Sequence, residues 1–127
     1  MSAFIRSCLV AILALTLAAP AALANDDVEV TKTGHGTMGS VWKLELDREH
    51  RIEVDFEVNS PNKRAGHVWR IVMRHNGTVF FRGTRIADHE GEFEVDKTVA
   101  NVAGPDAIRV RAVDRSNGEI VKAAATI

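Results

Sequence analysis

Arg51-Ile52-Glu53-Val54-Asp55-Phe56-Glu57-Val58 decides the fold. Charged and apolar residues alternate across all eight positions. Successive side chains of a strand point to opposite faces, so a period of two sets Ile52, Val54, Phe56 and Val58 against a core. Arg51, Glu53, Asp55 and Glu57 then face water. The preceding segment, 41–47, repeats the pattern, with Trp42, Leu44 and Leu46 against Lys43, Glu45 and Asp47. Asn59-Ser60-Pro61-Asn62 is a turn cluster, and residues 63–66 extend the loop.

Further on, segments 68–75 and 78–86 flank Asn76-Gly77. Both central residues of a type I′ turn need positive φ, which Asn and Gly tolerate, so this reads as a tight hairpin. Segment 92–99 alternates through Phe93 and Val95. Segments 107–114 and 119–127 form a last hairpin across Arg115-Ser116-Asn117-Gly118. These are seven strands. An eighth, over 28–31, is optional, because residues 25–39 are rich in Thr and Gly and read as a flexible arm or a weak edge.

The composition agrees. Of the 127 residues, 16 are Lys or Arg and 17 are Asp or Glu. Beyond residue 24 the chain holds 14 Val and six Ile but only Leu44 and Leu46 as leucines. A β-branched excess of this size disfavours an all-helical domain. The single cysteine, Cys8, excludes a disulfide framework, and the formal net charge of −1 excludes a bulk polycation.

The start of the chain points to export. A weakly positive opening to Arg6 is followed by an uncharged Leu- and Ala-rich run ending Ala22-Leu23-Ala24, then by Asn25-Asp26-Asp27. This is the pattern of a secretory signal peptide cut after Ala24. The expected organisation is a signal peptide over 1–24, an arm over 25–39 and one β-domain over 40–127, secreted or periplasmic, with no membrane span once the leader is removed.

Seven short alternating strands in about 100 residues suggest a two-sheet antiparallel sandwich. Near the end, Asp106, Ile108, Val110 and Ala112 alternate after the Gly104-Pro105 corner, and Trp69 lies on the third strand. This pattern resembles secreted bacterial immunoglobulin-like and fibronectin-III-like domains over 41–127. Such domains place an Asp at the head of the penultimate strand, then a Tyr and a Cys, where this chain has Val110 and Ala112. Val54 or Phe56 stands where the other Cys would be. The resemblance implies that the first, second and fifth strands share one sheet and the other four share the second.

On that assignment charge sorts by sheet. The first sheet faces outward with Lys43, Glu45, Asp47, Arg51, Glu53, Asp55, Glu57, Glu92, Glu94 and Asp96. The second does so with Arg70, Arg74, Arg82, Arg109, Arg111 and Lys122, with Arg85 and Arg115 at its ends. Arginine forks suit carboxylate, phosphate and sulfate groups. In Phe80-Phe81, strict alternation cannot bury both rings. One outward aromatic beside Arg82 is then expected, unless a bulge covers both.

Other chemistry is thin. His35, His50, His67, His75 and His89 do not fall at metal-ligand spacing. His67 and His75 read as polar strand-end residues. Ser40, Ser60 and Ser116 lack a nucleophile elbow. Glu53, Asp55 and Glu57 lie on a flat wet face without a pocket to tune an acid catalyst. The expected product is a non-enzymatic binding module without metal or cofactor. Its partner-binding residues are Arg70, Arg74, Phe80, Arg82, Arg109 and Arg111, and its partner is a protein or an anionic cell-surface polymer rather than nucleic acid. Self-association through the opposite-charge faces is a further expectation. The alternative is a protease inhibitor acting through loops 59–66 or 87–91, and a third class is an enzyme with a site assembled only by the fold.

Overall fold

The computed structural model describes residues 27–127. The expected signal peptide lies outside the described residues. Eight strands follow one another: β1 (Val28–His35), β2 (Val41–Arg48), β3 (Arg51–Asn59), β4 (Val68–His75), β5 (Thr78–Ile86), β6 (Glu92–Ala100), β7 (Ala107–Asp114) and β8 (Ile120–Thr126). One short 3-10 turn, Pro61–Lys63, interrupts the loop between β3 and β4. The strands form two antiparallel sheets of four, in the orders β1-β2-β3-β6 and β5-β4-β7-β8. The molecule is an all-β sandwich, and β2 to β8 divide between the sheets as the strand assignment anticipated.

The alternation read in the sequence becomes the core. Leu44 lies opposite Phe56, which lies opposite Val95, so three neighbouring strands deliver side chains to the same inner layer. Trp69 of β4 is fully buried, with its ring 5.2 Å from that of Phe93; Phe93 in turn meets Phe56 edge-on at 6.1 Å. Aromatic rings in such tilted arrangements add attraction beyond the area they bury.

Two open readings are decided. The optional eighth strand forms and is longer than expected: Val28–His35 pairs along its whole length with β2. Trp42 explains why the strand continues through Gly34. A Cβ on Gly34 would come within 2.6 Å of the Trp42 ring, so the glycine is the position over which that ring lies. The following loop is tied to the opposite sheet, where the Thr37 N–H donates to the Ile120 carbonyl at 3.0 Å and the Ile120 N–H donates to Thr37 Oγ1 at 2.9 Å.

The second open reading concerns Phe80-Phe81, where the bulge alternative holds. The Asn76-Gly77 turn forms with φ of 49° and 89°, as a type I′ turn requires. The ladder then shifts: Arg74 pairs with Val79 but Met73 pairs with Phe81, leaving Phe80 as the extra residue of a bulge. A bulge sets two residues of one strand against one of its partner. Both phenylalanines pack half-buried against the core, and neither is an outward aromatic. The Phe81 ring lies across Gly83, where a Cβ would fall 2.6 Å from it.

Candidate functional site: two charged faces

On the first sheet, the register aligns outward residues into three rows of four. Reading β1-β2-β3-β6, the rows are Thr33, Lys43, Glu57 and Glu94; then Thr31, Glu45, Asp55 and Asp96; then Glu29, Asp47, Glu53 and Thr98. Lys43 is the one cation in this lattice. Glu29 belongs to the added strand and was not foreseen. Arg51 and Glu92 stand beyond the two ends of these rows.

Neighbouring acids here are forced together. Asp55 faces Asp96 directly across the ladder, and Glu57 faces Glu94. Carboxyl oxygens of Asp55, Glu94 and Asp96 all lie within 4.8 Å of one another. Asp55 holds Glu94 up to about 7 from the ordinary 4.5, by sharing its proton in a hydrogen bond and by repulsion. Partial burial, Asp96 and Glu57 push the same way. Asp55 Oδ1 is shielded from water and has no hydrogen-bond partner among the described residues.

On the second sheet, reading β5-β4-β7-β8, the rows are Val79, Arg74, Arg109 and Ala124; then Arg82, Val72, Arg111 and Lys122; then Thr84, Arg70, Val113 and Ile120. The face carries six cations and no acid. Among the described residues, none of these six makes an ion pair. Apolar side chains stand between the charges, and Ala124 is short enough to leave a depression. It is about 220 Å³, lined by Arg74, Arg109, Arg111 and Lys122 with Val110, Ala123 and Ala124. Long cationic side chains around a small floor present several donors to one incoming oxyanion.

Five of the six expected partner-binding residues (Arg70, Arg74, Arg82, Arg109 and Arg111) are therefore on this face and exposed. Phe80 is not one of its outward aromatics. Arg85, expected at its edge, pairs with inward-facing Trp69 and lies over the Phe81 ring, 5.2 Å from its centre. Lys97 of β6 covers the same ring at 4.7 Å. The ring between two cations closes the seam between the sheets.

At the sandwich ends a different set of charges is buried and paired. Glu119, fully buried, accepts from the Ser40 hydroxyl at 2.6 Å, the Met38 and Ser40 N–H groups at 2.8 and 2.9 Å, and Arg64 at 2.7 Å. Burial pushes its carboxyl up, but the Ser40 bonds, the Met38 N–H and Arg64 outweigh this and leave it below the usual range. Buried Asp114 binds His67 Nδ1 at 2.7 Å, and buried Asp106 binds His75 Nε2 at 2.6 Å. The two histidines thus anchor opposite ends of β4 to opposite ends of β7. Sequence reading missed these pairs. Their signal was parity: His67 and His75 share the phase of Trp69, and Asp106 and Asp114 share that of Ile108.

A concavity of about 450 Å³ lies at one end of the acidic face between Thr33, Lys43, Glu57, Val41, Trp42 and Pro61. It is a wide open groove, with Lys43 and Glu57 as its only charged walls. No protein-family model, curated protein or solved structure matches the chain. The two faces are therefore read from their own chemistry.

Proposed function

We propose that this chain is a secreted, non-enzymatic binding module of the immunoglobulin-like or fibronectin-III-like kind, which takes an anionic partner on its basic sheet. The observation that carries this reading is the set of six cations on one outer face that, among the described residues, make no ion pair, four of them around the Ala124 depression. Cations gathered without internal partners keep their full electrostatic capacity for an external one. The split of strands between the sheets and the buried Trp69 support the immunoglobulin-like assignment.

Chromatography on a sulfated matrix tests the reading. Arg109→Glu with Arg111→Glu removes two positive charges beside the depression and introduces two negative ones. The double variant should elute at much lower salt than the parent, while Glu45→Gln on the other face should not advance elution. Equal retention of the parent and the double variant overturns the reading.

A further inference from the structure

Resting on that reading of the basic sheet, we propose that its partner is a second copy of this chain, whose acidic sheet it covers, so that copies stack in series. Both outer faces are antiparallel lattices with the same repeat. Neighbouring strands lie about 4.8 Å apart, and successive outward residues on one strand lie about 6.7 Å apart. Cations of one face can therefore meet carboxylates of the other over many positions at once. The acidic lattice offers eight carboxylates around Lys43, and the basic lattice offers six cations without ion pairs.

The centres also fit. The acidic lattice is densest at Asp55, Glu94 and Asp96, and the basic lattice at Arg74, Arg109, Arg111 and Lys122. Asp55 is a short, half-buried member of the acidic set with one carboxylate oxygen shielded from water, while the guanidinium groups stand on long stems around the Ala124 depression. Long donors thus face recessed acceptors. In the lone chain a hydrogen bond to Asp55, together with repulsion from Asp55 and its neighbours, favours a proton on Glu94. An apposed guanidinium replaces that proton with a permanent counter-charge.

The faces lie on opposite sides of one sandwich, so the contact is heterologous. Each copy accepts one neighbour above and one below, which gives an open stack or a closed ring rather than a two-fold dimer. Four strands by three rows make a patch roughly 19 Å by 20 Å, about 400 Å² per partner. Interfaces of that size belong to the weak, transient class. The assembly should therefore respond steeply to salt and protein concentration.

Sedimentation of the purified protein tests the proposal. At about 10 mM salt, where the Debye length is about 30 Å, the average mass should at least double with rising concentration; at about 1 M, with a length of about 3 Å, it should return to the monomer. Two triple variants then separate the faces. Arg109→Ser, Arg111→Ser and Lys122→Ser remove three of the four cations around the depression and leave the acidic face intact; Asp55→Asn, Glu94→Gln and Asp96→Asn remove the densest acids and leave the basic face intact. Each alone should associate far less than the parent, whereas an equimolar mixture should form pairs that grow little further. Pairing in the mixture itself shows that both variants are folded. A parent that stays monomeric at low salt overturns the stack, as does a mixture that stays monomeric or a variant that associates like the parent. A monomeric parent that is still held on the sulfated matrix through Arg109 and Arg111 loses the stack but keeps the anion-binding face. Failure of both measurements removes both.

Discussion

Charges on the two faces of this sandwich and charges at its ends obey opposite rules. On the faces, like charges stand side by side, exposed or half-exposed and, among the described residues, without ion pairs; at the ends, Glu119, Asp114 and Asp106 are buried and each has a specific basic partner. The difference follows from solvent. Water and salt screen an exposed like pair, so its cost is small. A buried carboxylate without partners is costly, so it persists only with hydrogen bonds and a counter-charge. Stability should then reside in the ends, and recognition in the faces.

The sharpest way to break this division is at Glu119. Glu119→Ala strands Arg64, Ser40 and the Met38 N–H, and should lower the unfolding free energy in urea by about 3–5 kcal/mol. A loss under about 1 kcal/mol would place stability elsewhere. The histidine pairs come next. Asp114→Ala and Asp106→Ala each remove one buried acceptor from a histidine and should cost about 1–3 kcal/mol. Asp106 Oδ2 already lacks a partner, so Asp106 should be the cheaper of the two to lose.

On the faces the same assay should report little. Arg109→Glu with Arg111→Glu should leave stability within about 0.5 kcal/mol of the parent, since both side chains are exposed. A large loss would show that the basic lattice is structural.

The smallest effect is in pH dependence, and here faces and ends differ in sign. Glu94 is raised in the folded state, so the folded chain holds a proton that the unfolded chain has released between about 4.5 and 7. Stability therefore falls as pH rises through that window, and Glu94→Gln should flatten this part of the profile. Glu119 is lowered, so its contribution is present above the ordinary glutamate range and is lost as acid titrates the folded carboxyl. Glu119→Gln should remove that acid limb. Urea midpoints measured across pH for the two variants test both signs.

Much of the fold was legible because alternation is local. Residues 51–58 and 41–47 state their inner and outer faces without reference to the rest of the chain, and Asn76-Gly77 states its turn. The lattices then followed from strand assignment. Pairs that depend on sequence-distant partners were not legible: Ser40 and Glu119 meet across 79 positions, and His67 and Asp114 across 47. Phe80 shows the same limit, since a single inserted residue reverses its phase and only the partner strand registers the insertion. In β1, Gly34 argued against a strand until the Trp42 ring was placed over it.

The sorting of charge by sheet has a consequence at long range. A chain with a formal net charge of −1 has almost no monopole, yet its positive and negative centres sit on opposite sides of the sandwich. What a distant object senses is therefore a dipole directed across the sheets. Near any charged surface the molecule is turned before it touches, with its basic side toward negative charge and its acidic side toward positive. Orientation is settled during approach, and the time spent searching for the right face at contact is shortened accordingly.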